Sequence, residues 1–408
     1  MKLLKQLCDE KAWHEFFEYK KERSYLFKSD EERLAEFIER KEYSGLAEKV
    51  LRDGFCFEIP EKKLVNKMGS NKKRVVYSFK YEESAILKLL SYLLSKYDGY
   101  FVPNCYSFRK DFGIKSAIFK LVRTKGINKC YCYKLDIKNY FNSIDVSLLL
   151  PKLKKVFHDD LSLYYFFEKM LTRGQCLFEC QIISEDKGVM AGTPTSPFLS
   201  NVFLTALDKH FFDLGVPYAR YSDDIIVFAP TIEELNEHKA FIHGFLVGHN
   251  LTVNTDKEQV IPPDLAWSFL GIQYCNGVID LSGGTLQKIK GKIRRKARSI
   301  YRWKNKKQKP NDKALYIMTR RFNVKFFGGD KSKSDLTWSR WFFPLLTTDK
   351  GLREVDEYLQ MYLRFLVTGK HGKANYKKAP YEYLKQCGYR SLVHVYYKYI
   401  KSIALQPD

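Results

Sequence analysis

Three aspartates stand where chemistry could be done. Asp223 and Asp224 are adjacent, preceded by Tyr218-Ala219-Arg220-Tyr221 and followed by Ile225-Ile226-Val227-Phe228, so two anions sit where an otherwise apolar hairpin must turn. Asp136 ends the alternating run Tyr131-Cys132-Tyr133-Lys134-Leu135-Asp136, which reads as a strand delivering a carboxylate. An Asp-Asp pair taken alone is a solvated turn. A third carboxylate at the end of another strand makes an oxygen-rich site suited to magnesium, with room for waters and substrate phosphates. Two such ions about 4 Å apart activate an attacking hydroxyl and stabilise a leaving pyrophosphate, which is the chemistry of nucleotidyl transfer.

Other elements must position these acids. Residues 1 to about 55 read as helices, with Leu34, Phe37 and Ile38 at helical spacing. A basic loop, Lys67 to Arg74, leads into a short strand at Val75-Val76-Tyr77, and a helix follows over about 82 to 97. Residues 101 to 110 are irregular. Residues 146 to 173 are helical, and Gly188 to Pro194 is a loop punctuated by Gly and Pro. Ser196-Pro197 then reads as an N-cap and first helical position, opening an apolar helix. Beyond Asp280 the chain turns to basic, aromatic helices.

The 408 residues carry 70 Lys and Arg against 47 Asp and Glu, a net charge of +23. The length allows two or three domains, and a 45% hydrophobic, 15% aromatic composition can fill their cores, which excludes disorder as the main theme. The basic excess, interleaved with Tyr, Trp and Phe, favours nucleic acid over an anionic membrane or an acidic protein. Nine scattered cysteines without paired C-x-x-C units argue against structural zinc and a disulfide framework. No apolar stretch is long enough to span a membrane and no secretory signal opens the chain, so a soluble, cytoplasmic protein without a membrane partner is expected.

The residues also carry a family resemblance. Lys134-Leu135-Asp136-Ile137-Lys138-Asn139-Tyr140-Phe141 resembles the first palm motif of reverse transcriptases, and Tyr221-Ser222-Asp223-Asp224 resembles their Tyr-x-Asp-Asp hairpin. Between them, Ala191-Gly192-Thr193-Pro194-Thr195-Ser196-Pro197-Phe198-Leu199-Ser200-Asn201 is similar to the Gly-x-Pro-x-Ser-Pro-x-Leu-x-Asn motif. Leu251 to Lys257 is similar to the strand-and-lysine motif, Phe269-Leu270-Gly271 to the primer-grip region, and Lys67 to Arg74 with Phe108-Arg109 to the fingers motifs. The resemblance spans roughly residues 60 to 275.

It implies an α+β right-hand polymerase with fingers, a palm of antiparallel sheet backed by helices, and a helical thumb. The expected boundaries are an N-terminal helical segment at 1–60, fingers at 61–130, and a palm at 131–275 with inserted fingers helices at 146–187. A basic helical thumb would occupy 276–408. The implied activity is RNA-directed DNA synthesis with two Mg2+ ions, Mn2+ being able to substitute. Asp136 and Asp223 would hold both metals, with Asp224 a less direct ligand and the Ile137 carbonyl a further oxygen. Phe141 matches the steric gate that excludes a 2′-hydroxyl and selects dNTPs, the plain alternative being a core Phe on a helix. Lys67 and Arg74 would clamp the triphosphate, Gly192 would let backbone approach the nascent base pair, and Lys257 would donate a proton to pyrophosphate.

Between Lys288 and Lys309 there are twelve Lys and Arg and no acid. Such a run is either a solvated helix face or a grip on the template:primer duplex; beside a palm the grip is expected, with Lys292, Arg294, Arg295, Arg298 and Arg302 on phosphates and Arg109 a further nucleic-acid contact. The cluster Trp338 to Phe343 is expected to pack a core. Expected partners are an RNA template, a nucleic-acid primer, the cDNA product and dNTPs. Ala191, where many relatives have Gln, and the tail from Asn375 to Tyr397 resemble stand-alone bacterial reverse transcriptases of antiphage defence and abortive infection, which suggests a companion noncoding RNA as template. Alternatives are untemplated or protein-primed synthesis, a retron-like enzyme, and a non-catalytic RNA-binding protein on the same scaffold.

Overall fold

A computed structural model describes residues 2–23, 28–52, 55–66, 73–185, 188–328 and 337–404. The chain divides into two compact units, one of residues 1–21 and 26–265, the other of 22–25 and 266–408.

The first unit opens with helices α1 (Glu10–Arg23), α2 (Lys28–Glu39) and α3 (Ser44–Val50), then β1 (Glu61–Asn66), β2 (Lys73–Ser78), α4 (Tyr81–Leu93) and α5 (Ile114–Val122). It continues through β3 (Tyr131–Asp136), α6 (Tyr140–Ser143), α7 (Val146–Val156), α8 (Leu161–Thr172), β4 (Gln175–Phe178), β5 (Gln181–Ser184) and α9 (Ser196–Asp213). The hairpin β6 (Tyr218–Tyr221) and β7 (Asp224–Ala229), α10 (Ile232–Gly248) and β8 (Gln259–Ile261) complete it. The sheet that carries the aspartates has the order β6-β7-β3-β8, all neighbours antiparallel. One continuous core, including Tyr133, Leu135, Leu199, Phe203, Leu207, Ile225 and Val227, joins this sheet to α9 and α10.

Three local expectations change. The charged segment Glu61–Asn66 is a strand that pairs antiparallel with β2 from Glu61↔Ser78 to Asn66↔Lys73, and β2 begins at Lys73 rather than Val75; residues 67–72 of the expected basic loop lie outside the described residues. Residues 175–184, expected within a helical insertion, form the hairpin β4-β5, whose Leu177 pairs in parallel with Glu61 to give the sheet β2-β1-β4-β5. Helix α9 is capped at Thr195 rather than Ser196, whose hydroxyl turns back to the Thr193 carbonyl at 2.9 Å, while Pro197 lies in the first turn as expected.

The second unit begins with a meander, β9 (Trp267–Phe269), β10 (Ile272–Cys275) and β11 (Val278–Leu281), in the order β11-β10-β9. Helices α11 (Gly283–Lys306), α12 (Asn311–Phe327), α13 (Trp338–Phe342), α14 (Lys350–Thr368), α15 (Asn375–Lys378), α16 (Tyr381–Gln386) and α17 (Leu392–Ala404) follow. Ile289, Ile293, Ala297 and Ile300 form a buried stripe along α11 at helical spacing, packed on α12 and α14. Phe342 and Phe343 are core, with Trp338 5.0 Å from Phe342 and 5.4 Å from Phe326. Asp356 of α14 caps α17 by accepting from the Leu392 and Val393 amides at 2.9 and 3.1 Å. Among the described residues no helix is long and apolar enough to cross a membrane.

Candidate active site

Hairpin β6-β7 turns through two residues: Tyr221 pairs with Asp224, leaving Ser222 and Asp223 in the bend. Ser222 adopts φ +61°, the left-handed region that suits the primed turns of hairpins but favours glycine. A buried serine held there is strained, and the hydrogen bond from Arg220 Nη1 to the Ser222 carbonyl at 3.2 Å secures it.

Arg220 anchors that turn from within. It is fully buried, and its Nε and Nη2 donate to the two oxygens of Asp208 on α9 at 2.7 and 2.5 Å. Nη1 also reaches Asn201 Oδ1 at 3.2 Å, and the Tyr218 hydroxyl donates to Asp208 Oδ1 at 2.9 Å. Asn201 is locked in turn by Ser107, whose hydroxyl donates to Asn201 Oδ1 at 2.9 Å while the Asn201 amide donates to the Ser107 carbonyl at 2.7 Å. Burial works against the Arg220 charge, yet Asp208 holds the guanidinium protonated, well above the ordinary arginine value.

The three aspartates meet at this turn. Asp136, at the end of β3, stands directly opposite Asp224 in the ladder, and the Ile137 amide donates to the Asp223 carbonyl at 3.1 Å. Burial, then the charges of Asp136 and Asp224, push the Asp223 carboxyl up to about 6. Asp136 itself is buried. Its Oδ1 accepts from Lys257 Nζ at 2.6 Å, its Oδ2 from the Asn254 amide at 3.1 Å, and its carbonyl from the Asn254 N–H at 2.8 Å. The neighbour of Lys257, Glu258, is held by Lys239 at 2.8 Å and by the Tyr133 hydroxyl at 2.9 Å.

Among the described residues no three His, Cys, Asp or Glu side chains converge closely enough to hold an ion as they stand. The donor set nevertheless suits magnesium: all oxygen, with an excess of negative charge that Asp223 registers and that the Lys257 ammonium partly balances on Asp136.

Phe141, on α6, is positioned by the loop that follows β5. The Val189 amide donates to the Phe141 carbonyl at 2.8 Å. Gly188, at φ +90°, lies so close to α6 that a Cβ there would fall 2.7 Å from the Asn142 Cα. Asn142 links α6 to β2 and to the loop, donating to the Val75 carbonyl at 3.2 Å and accepting from the Ala191 amide at 3.3 Å. The close approach that Gly192 makes, at φ +98°, is to this same strand: a Cβ would meet Val76 Cβ at 3.2 Å. Phe141 is half-buried, its ring 5.6 Å from Tyr140 and 6.4 Å from Phe108.

Of the remaining residues, Arg74 is exposed on β2, and Lys67 lies outside the described residues. Arg109 departs from expectation as a nucleic-acid contact. Its Nη1 donates to the carbonyls of Val102 and Cys105 at 2.8 and 2.9 Å, and its Nη2 to that of Asp98 at 3.0 Å, so its fork is spent on pinning the loop. In the second unit Arg294, Arg295, Arg298 and Arg302 are exposed on α11, and Lys292 is half-buried. The basic run is not uniformly solvated: Lys290 pairs with Glu354 at 2.5 Å, and Lys304 is buried, donating to Asn311 Oδ1 at 3.0 Å.

A family model described as reverse transcriptase (RNA-dependent DNA polymerase) matches residues 59–274, more than half of the 408. The chain belongs to this family. This reverse transcriptase has the α+β fold expected of the family, whose description is RNA-dependent DNA polymerase. No curated protein matches it. Similar solved structures are telomerases: the apo enzyme of Candida tropicalis, 12% identical with TM-score 0.47, over 82% of this chain and 60% of that one; the same enzyme truncated of its C-terminal domain, 14% identical with TM-score 0.44, over 55% of each chain; and that of Candida albicans in complex with a TWJ fragment of telomeric RNA, 12% identical with TM-score 0.41, over 91% of this chain and 71% of that one. The reverse transcriptase thus spans about half the length of the truncated telomerase.

Sequence reasoning missed the supports of the site: Asp208, Arg220 and Asn201 beneath the turn, Asn254 on Asp136, and Gly188 and Asn142 behind Phe141. One signal was present. Arg220 is a lone charge in the otherwise apolar stretch Val216 to Tyr221, where a charge persists only if paired.

Proposed function

We propose that this reverse transcriptase extends a primer with dNTPs on a companion noncoding RNA, as part of a bacterial antiphage defence system. In this reading β3 and the β6-β7 hairpin are the palm, β1-β2 belongs to the fingers, and α11 to a basic thumb. Asp136 and Asp223 would hold two magnesium ions, with Asp224 and the Ile137 carbonyl alongside. Magnesium bound there would supply Lewis acidity for the primer hydroxyl and charge for the departing pyrophosphate. Asp208 and Arg220 hold the turn that aims Asp223. Lys257 Nζ, 2.6 Å from Asp136, is the proton source for pyrophosphate, its aliphatic chain giving it reach from a backbone fixed by Glu258. Phe141 closes the space that a ribose 2′-hydroxyl would need, and Arg74 binds the triphosphate.

The observation that carries the polymerase mechanism is the pairing of Asp136 with Asp224 across one ladder, with Asp223 at the adjoining turn. The defence role and the companion RNA rest on the resemblance of the Ala191 motif and the tail to the defence-associated enzymes. The test is to purify the protein from its own genomic neighbourhood, sequence the RNA that accompanies it and supply labelled dNTPs. Asp136→Ala and Asp223→Ala should each abolish incorporation while the RNA still co-purifies. Incorporation within about tenfold of the unaltered protein would remove the aspartates from the mechanism, because loss of a metal ligand costs far more.

A further inference from the structure

A cleft of about 250 Å³ opens in the first unit between α1, α4 and residues 108–110. Its walls carry Lys20, Lys88 and Lys110, the rings of Tyr19, Tyr92 and Phe108, and, among the described residues, no carboxylate. Lys20 lies over the Phe16 ring at 5.8 Å and Lys88 over the Tyr81 ring at 6.0 Å; among the described residues neither ammonium has a hydrogen-bond or ion-pair partner. Arg109 adds a fourth charge to the wall, but its fork is committed to backbone carbonyls. Burial, then the charge of Lys88, hold the Lys20 ammonium below the ordinary lysine value. Cations gathered in this way repel one another unless an anion lies among them.

Phe108 is an independent observation. It is a bulky residue at φ +57°, a strained conformation, and its ring is 49% exposed. That ring lines the cleft on one side and lies 6.0 Å from Tyr221 and 6.4 Å from Phe141 on the other, next to the aspartate-bearing hairpin. Ammonium groups recognise phosphate, and exposed rings recognise bases. Their combination in an open cleft is the means by which single-stranded nucleic acid is held.

We propose that this cleft is a binding site for one nucleotide unit of a single strand running towards the aspartates, its phosphate on Lys20 and Lys88 and a base against Phe108. The inference rests on the polymerase reading for the strand's destination. A free nucleotide would satisfy the lysines equally well, but it would leave unexplained an exposed ring that continues to Tyr221 and Phe141.

The test measures binding of a fluorescent single-stranded RNA about 12 nucleotides long, without primer, to the full chain across a salt series. Lys20→Gln combined with Lys88→Gln should weaken binding on the order of tenfold and make the salt slope shallower by about 0.7 for each phosphate no longer neutralised. Phe108→Ala should weaken it about fivefold or more, with little dependence on salt, because it removes stacking rather than charge. Thermal melting of each variant shows that it is folded. Unchanged affinity and slope in the folded lysine variant would overturn the site, and UMP binding as tightly as the RNA to the unaltered protein would overturn the assignment to a strand. Labelled dNTP incorporation by the unaltered protein is measured in parallel. Its absence overturns the polymerase reading, whereas RNA binding that ignores Lys20, Lys88 and Phe108 in an incorporating enzyme overturns only the cleft.

Discussion

Asp208→Asn leaves the Arg220 guanidinium buried without its counter-charge. The pair is fully desolvated, with side chains 0% and 1% exposed, so water cannot take the place of the lost carboxylate. Two charge-assisted hydrogen bonds, at 2.7 and 2.5 Å, are reduced to one bond from Arg220 to a neutral amide oxygen, and the Tyr218 hydroxyl competes for the same acceptor. Hydrogen bonds to charged groups contribute about 1.5–3 kcal/mol each, and breaking a buried pair costs about 3–5 kcal/mol. The bonds that Arg220 keeps to Asn201 and Ser222 place the expected loss near the lower end, about 3 kcal/mol. Urea unfolding followed by a probe in the first unit measures it. The companion variant, Asp208→Leu with Arg220→Met, removes both charges and should recover most of that stability. It should not recover dNTP incorporation, because the Ser222 carbonyl has lost its donor and the turn that aims Asp223 is no longer held. A loss below about 1 kcal/mol in Asp208→Asn would show that the pair is solvated. Full incorporation by the stable double variant would refute the claim that Arg220 positions the turn.

Phe141→Ala should raise the use of rNTPs relative to dNTPs in competition assays, and an unchanged ratio would place the gate elsewhere. Replacing Arg294, Arg295 and Arg298 of α11 by Gln should make the salt slope of duplex binding shallower by about two to three units, similarly for unrelated RNA:DNA duplexes, since phosphates carry no sequence; weakening confined to one structured RNA would point to specific recognition instead. The Asp223 carboxyl, raised from 3.8 to about 6, is ionised at a cost to the fold above that pH, and the cost is relieved as pH falls towards 3.8. Magnesium affinity, which needs the carboxylate, should therefore weaken as pH drops below about 6, and equal calorimetric affinities at either side of that pH would contradict this. In chelator at alkaline pH, Asp223→Asn should melt at a higher temperature than the unaltered protein, because it removes one of three crowded anions.

The parts of the site legible in the sequence are those that local physics decides. Alternation fixes β3 and places Asp136 at its end; the break between two apolar strands puts Asp223 in a turn; Pro197 falls in the first turn of α9, where proline is favoured because its missing N–H has no helical partner to lose. The fate of a charge is not local. Arg220 and Asp208 are separated by 12 residues, so the sequence does not say which charge meets which; only the packing of α9 under β6 seals them from water and obliges them to pair. Packing likewise turned Arg109 inward onto three carbonyls, found Glu354 for Lys290 and buried Lys304 in a run expected to lie along a duplex. Hairpin β4-β5 is itself local, but its docking on β1, with Leu177 opposite Glu61, joins distant segments that no window of sequence contains. Period and turn chemistry are properties of a few consecutive residues, whereas desolvation is a property of whatever the fold brings alongside, and that decided how the three carboxylates are held.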